Sequence, residues 1–190
     1  MLNIVIFGAP GSGKGTQSEY LINKYNLAHI STGDVLRAEV KSGTELGKLA
    51  DSYMSQGQLI PDQLMIDILA SVLDSKTGHS GVIFDGFPRT IPQGKALAEM
   101  LAERKQEIAA VVSLEVPEEE LIERLLNRGK ETGRTDDNYE TIKKRLDVYY
   151  NQTTPLKERY QQEGKLFSIE GVGTKNEIFA RIASAVDKVK

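Results

Sequence analysis

The run Gly8-Ala9-Pro10-Gly11-Ser12-Gly13-Lys14-Gly15-Thr16 follows an apolar, β-branched stretch and precedes a helical pattern. Glycines at this spacing let the backbone curl so that several N–H groups point at one anion. The helix N-terminus that follows adds a partial positive charge. A lysine placed as Lys14 is then within reach of the β- and γ-phosphates of a nucleoside triphosphate. A hydroxyl is usual directly after this lysine. Here Gly15 takes that place and the hydroxyl comes one residue later, at Thr16, which leaves its assignment to magnesium open. A second apolar run, Val82-Ile83-Phe84, ends in Asp85. A carboxylate there suits magnesium held directly or through water.

Six arginines have the spacing to gather around phosphates. Arg124 and Arg128 are four apart on one helical pattern and share a face, Arg134 lies just beyond, and Arg145 is on the next helix. Arg37 follows a short apolar run, and Arg89 closes Asp85-Gly86-Phe87-Pro88-Arg89 at a strand end. In open α/β sheets, ligands bind beyond the carboxyl ends of the strands. Holding two anions in line for phosphoryl transfer calls for such a set of cations. Each residue also has a plainer reading. Arg124 can pair with Glu120 one helical turn earlier, Arg145 can lie on a solvated face, and Arg134 can be a simple loop charge. Gln93 can be a surface helix residue, and Thr32 can cap the helix beginning near Asp34.

These residues need a scaffold. Candidate strands at 2–7, 28–31, 81–85, 109–115 and 166–170 alternate with helical patterns near 14–24, 34–41, 44–55, 61–74, 90–104, 117–128, 138–163 and 174–188. Such alternation predicts a doubly wound α/β fold with a parallel sheet covered on both faces. Pro61 and Pro117 mark helix starts, while Pro155 predicts a kink or break inside the long last-but-one helix. The segment 128–138 has no apolar residue and reads as an exposed, mobile loop. A net charge of −3 over 190 residues gives no basic footprint for nucleic acid. No run approaches the ~20 apolar residues of a membrane span, and the start reads as a strand instead of a signal peptide. There is no cysteine, and the two histidines, His29 and His79, are far apart in sequence. That excludes disulfides and thiolate zinc and fits a soluble, cytoplasmic protein.

Taken in order, residues 8–16, Ser31-Thr-Gly-Asp-Val-Leu-Arg37, Phe84-Asp-Gly-Phe-Pro-Arg-Thr90 with Gln93, and Arg134-x-Asp136-Asp137 followed by Arg145 resemble the adenylate kinases over essentially the whole chain. The resemblance implies a P-loop NTPase fold, with a five-stranded parallel sheet and helices on both faces. The implied core is 1–30, 61–127 and 139–190, with a mobile NMP-binding segment at about 31–60 and a short lid at about 128–138. It implies reversible transfer of the terminal phosphate of MgATP to AMP, giving two ADP, in a monomer. By the same resemblance Gly11, Ser12, Gly13, Lys14, Gly15 and Thr16 hold the ATP phosphates, with Arg128 and Gly173 on the adenine side. Thr32, Arg37, Gln58, Leu59, Ile60, Gly86, Phe87, Pro88, Arg89 and Gln93 form the AMP site. Arg124, Arg134 and Arg145 clamp phosphates, Asp85 positions hydrated Mg2+, and Asp136 or Asp137 holds the lid closed. Long-lid members often carry zinc-binding cysteines, but only about ten residues join the helices here, so no zinc is expected. UMP/CMP kinases are the nearest alternative. They typically have alanine at position 32 and asparagine at position 90, where this chain has Thr32 and Thr90. A nucleotide-dependent switch is a third reading, but it leaves the second anion site without a purpose.

Overall fold

A computed structural model describes residues 1–76 and 78–190. In chain order the elements are β1 (Asn3–Gly8), α1 (Lys14–Tyr25), β2 (Leu27–Ser31), α2 (Thr32–Ser42), α3 (Glu45–Met54), α4 (Asp62–Leu73), β3 (Gly81–Asp85) and α5 (Ile91–Glu103). They continue as β4 (Ile108–Glu115), α6 (Glu118–Thr132), α7 (Tyr139–Val148), a π-helical turn (Tyr149–Thr153), α8 (Thr154–Gln162), β5 (Leu166–Glu170) and α9 (Lys175–Val186). The strands form one sheet in the order β2-β3-β1-β4-β5, and every neighbouring pair is parallel.

The central strand explains the two-sided cover. Every residue of β1 is buried, and successive side chains leave a strand on opposite faces. Val5 and Phe7 join Val82, Phe84 and Val111 under Leu69 of α4, Leu97 of α5 and Leu156 of α8. Ile4 and Ile6 join Ile83 and Val112 under Leu21 of α1 and Ile182 of α9. A strand with helices on both sides has no polar face to offer, hence its unbroken apolar run. A third, smaller cluster packs Leu121 and Leu125 of α6 against Ile142 and Leu146 of α7, with Ala9 from the loop after β1.

Helix starts carry their own chemistry. Ser31, Thr44, Thr90, Asn138 and Thr174 each accept a backbone N–H at a helix start. Ser31, not Thr32, is therefore the cap of α2, and the Thr32 hydroxyl is free for a longer contact. The chain does not break at Pro155; the helical run passes from α7 through the π-helical turn into α8, whose first turn contains that proline. The segment 128–138 differs from its expected form. Residues 128–132 continue α6, and the chain reverses at Gly133. Asp137 is buried, not exposed. Gly129 permits this, since a Cβ there would lie 2.9 Å from the Asp137 carbonyl oxygen. The returning chain thus lies directly against α6.

Candidate active site

The carboxyl ends of β1, β2 and β3 lie side by side, because Ile6 pairs with Asp85 and Ser31 pairs with Asp85 from the other side. The three loops leaving them therefore share one edge of the sheet. The loop after β1 runs through Gly11 and Gly13, at φ 84° and 92°. Both values lie in the left-handed region that favours glycine. Gly13 is the residue before α1, so the curl delivers the chain straight into a helix N-terminus. Lys14 folds back, and its Nζ donates to the carbonyl of Gly8 at 2.7 Å. Burial lowers its pKa to about 8, with Arg89, Arg145 and Arg128 adding to the effect and Asp85 opposing it.

One cavity opens between this loop and the neighbouring segments. Lys14, Thr32, Arg37, Arg89, Gln93 and Arg145 all line it, as do Gln58, Leu59, Ile60, Gly86 and Pro88. Arg89 lies deep. Burial, followed by the nearby charge of Arg145, lowers its pKa to about 10. Its Nε donates to the Gly86 carbonyl at 2.8 Å, and the Thr32 hydroxyl donates to that same carbonyl at 2.9 Å. Gly86 has φ 79°, and a Cβ there would meet Thr32 Oγ1 at 2.9 Å and Arg89 Nη2 at 3.0 Å. Only glycine lets both side chains reach that carbonyl. The π-helical turn supports the same segment, because Thr153 Oγ1 donates to the Arg89 carbonyl at 2.8 Å.

Asp137 ties the segment 128–138 to α6 and α7. Its carboxylate accepts from Arg128 Nε at 2.6 Å, from Arg128 Nη2 at 2.8 Å and from Arg145 Nη1 at 2.8 Å. Burial pushes the Asp137 pKa up, but the two guanidiniums outweigh it and hold the carboxyl below the usual aspartate range. Asp136 pairs with Arg145 at 3.0 Å and lines the cavity beside it. Arg145 is thus no solvated surface charge. Arg134 is drawn into the same group, its pKa lowered by burial and then by Arg37 and Arg128. Arg37 itself pairs with Asp34.

Several expected residues lie elsewhere. Arg124 does not line the cavity. It pairs with Glu120 one turn earlier and donates to the Gly171 carbonyl at 3.1 Å, so the plainer helical reading describes it in this structure. Phe87 is buried in the core beside the cavity and does not line it. Gly11, Ser12, Gly13, Gly15, Thr16 and Gly173 also fall outside the cavity lining. Gly13 and Gly15 are exposed on the open side of the loop, and Gly173 stands just before Thr174, the cap of α9. Asp85 ends β3 with His29 Nε2 at 3.8 Å. No described residue donates a hydrogen bond to its carboxylate.

Gln93 is not a surface residue; it is 2% exposed. Its Nε2 donates to Asp62 Oδ1 and its Oε1 accepts from the Arg89 backbone N–H, both at 2.8 Å. Sequence reasoning gave no site role to Asp62, to Tyr149 or to Thr153, the last two of which line the cavity. No local signal marks Asp62, whose partners Thr90 and Gln93 lie 28 and 31 residues away. Nothing local in the sequence marks Tyr149.

The arrangement is a concave site with a cation-rich floor, a glycine loop on one wall and an amide on the other. The sequence profile described as adenylate kinase matches residues 6–165. The chain belongs to the adenylate kinase family. It is 67% identical to an adenylate kinase of Bacteroides fragilis over 187 residues, covering 98% of this chain and 99% of that one. It is 66% identical over 189 residues to an adenylate kinase of Bacteroides thetaiotaomicron, covering the whole of both. An adenylate kinase of Porphyromonas gingivalis W83 is 55% identical over 190 residues, covering all of this chain and 98% of that one. The adenylate kinase match begins in β1 and ends at Lys165, so it takes in the phosphate loop, the cavity and the segment 128–138.

Proposed function

We infer that the chain transfers the terminal phosphate of MgATP to AMP, reversibly, giving two ADP. The observation that carries the reading is the convergence of Lys14, Arg37, Arg89 and Arg145 on one cavity. Together with Arg134 and Arg128, these six cations exceed the nearby carboxylates Asp34, Asp85, Asp136 and Asp137. Two of them, Lys14 and Arg89, have pKa values driven down by burial and crowding. Such a site is short of negative charge, and two nucleotide phosphate groups supply it.

In this proposal an oxygen of the AMP phosphate attacks the γ-phosphorus of ATP, and the bond to the β,γ-bridging oxygen breaks. ADP leaves in line, and no side chain forms a covalent intermediate. Residues 11–16 cradle the ATP phosphates with their N–H groups, and Lys14 follows the transferring group. Arg89, Arg134 and Arg145 clamp the phosphates, with Arg124 joining them from α6. Arg128 and Gly173 sit on the adenine side of ATP. Thr32, Arg37, residues 58–60, residues 86–89 and Gln93 hold AMP. The family acts on ATP as its magnesium complex. Asp85 suits that ion, since a carboxylate with no described hydrogen-bond donor can accept from magnesium-bound waters. Magnesium supplies charge neutralisation on the phosphates.

The proposal extends to motion and surroundings. Residues about 31–60 and the short lid at about 128–138 close over the core formed by 1–30, 61–127 and 139–190, which excludes water from the reacting phosphate. Asp136 and Asp137 hold the lid. No zinc is proposed for the lid, because the chain has no cysteine to build a thiolate site. No described helix is long and apolar enough to cross a membrane, which is consistent with a cytoplasmic enzyme. The exposed large apolar residues Met1, Leu49, Tyr139, Tyr150 and Val189 are scattered along the chain, in keeping with a monomer, and a net charge of −3 gives no basic footprint for nucleic acid. A coupled ADP assay with MgATP and AMP, UMP or CMP tests the reading. AMP is expected to turn over fastest. Equal rates with UMP or CMP would overturn the substrate assignment, and steady ATP hydrolysis without an acceptor would favour a switch.

A further inference from the structure

We propose that Asp62, which does not line the cavity, sets the selectivity for adenine by locking the orientation of the Gln93 amide; this rests on the reading of Gln93 as an AMP-site residue. A primary amide has nearly the same shape after a half-turn that exchanges its oxygen and nitrogen, so its partners decide which way it points. Here both partners have a single polarity. The Arg89 backbone N–H can only donate, and it meets Gln93 Oε1 at 2.8 Å. Asp62 Oδ1, which also takes the Thr90 hydroxyl, is an acceptor, and it meets Gln93 Nε2 at 2.8 Å. A flipped amide would set N–H against N–H and oxygen against carboxylate. Losing both bonds disfavours that orientation by on the order of a hundredfold or more.

Asp62 is itself held. The Thr90 hydroxyl donates to the same Oδ1 at 2.8 Å while accepting from the Gln93 backbone N–H at 3.4 Å. Thr90 thus joins the start of α4 to the start of α5, and the carboxylate stays where the amide needs it. With two contacts used, Gln93 retains one N–H and one oxygen lone pair in a side chain that lines the cavity. Adenine offers an amino donor next to a ring-nitrogen acceptor on its base-pairing edge. Hypoxanthine, otherwise the same size, offers a carbonyl acceptor next to an N–H donor there. A locked amide suits one of these patterns, whereas a free amide can turn to suit either.

The test compares AMP with IMP as acceptor, using the intact enzyme with MgATP. Asp62→Asn keeps the shape but gives Gln93 a partner that can donate or accept. The AMP to IMP ratio of kcat/KM is expected to fall about tenfold or more, through a higher KM for AMP and a lower one for IMP, while the KM for MgATP stays constant. An unchanged ratio in a folded variant sinks the proposal, even if its unfolding temperature drops. If wild type itself does not prefer AMP, the proposed function fails instead. A second readout needs no variant. In the free wild-type protein, hydrogen exchange followed by NMR should find the Gln93 Nε2 protons at least about tenfold slower than those of exposed Gln152. Equal rates would mean the anchor is absent.

Discussion

Replacing Lys14 by methionine removes an ammonium whose proton the fold holds loosely. With a pKa of about 8 in the free protein, a large share of Lys14 is neutral under mildly alkaline conditions. A triphosphate in the loop favours the charged form, so binding above that pH must draw a proton from solvent. At pH 8.5 roughly three-quarters of the free protein is neutral at this site, and saturation takes up about that fraction of a proton. The sign follows from the lowered pKa. Between pH 7 and 9 the protonated share falls from about nine-tenths to about one-tenth, so affinity falls by roughly tenfold, or about 1.4 kcal/mol. Titration calorimetry with MgATP and no acceptor, in two buffers of different ionisation enthalpy, counts the protons. Wild type should show uptake at pH 8.5 and nearly none at pH 7. Lys14→Met should bind more weakly and show no pH-linked uptake. Affinity that stays flat from pH 7 to 9, or equal uptake by the variant, would refute this reasoning.

Two further variants probe the cavity and the lid. Arg89→Ala is expected to lower kcat by on the order of a thousandfold while leaving the circular dichroism spectrum intact; unchanged turnover would remove Arg89 from the transferring phosphate. Asp137→Asn should cost about 1–3 kcal/mol in denaturant unfolding, because it removes the charged acceptor of three hydrogen bonds, leaving Arg128 without its carboxylate and Arg145 with Asp136 alone. Asp137 has a depressed pKa, so its contribution is complete above the ordinary aspartate range and is lost as pH falls through the lower folded-state value. The variant should therefore show a shallower loss of stability in acid than wild type, and parallel acid profiles would contradict the assignment.

Most of the framework was legible because its causes are local. The strand at Gly81–Asp85 and that at Leu166–Glu170 were read at their observed ends, since apolar runs bounded by glycine, aspartate and glutamate report their own limits. A disturbance before Pro155 follows from a missing N–H, and it takes the form of a π-helical turn and not of a break. The segment 128–138 was read rightly as mostly exposed, but one residue was misread for the opposite reason. A run without apolar residues predicts exposure, but Asp137 is buried through Arg128 on α6 and Arg145 on α7, and composition carries no record of partners on other elements. Gln93 was open to misreading in the same way, because its acceptor is Asp62, 31 residues earlier in the chain.

The sequence alone determined the phosphate loop, the order of the elements and the residue types gathered for phosphate chemistry, because spacing within one strand–turn–helix decides them. Only the tertiary structure decided which of six arginines face the cavity. It set Arg89 and Arg145 within its lining and left Arg124 beside Glu120 and Gly171. The physical reason is that a guanidinium takes the nearest acceptor the fold offers it. For Arg124 that acceptor is one turn away on its own helix, and for Arg145 it lies on the returning chain of the lid.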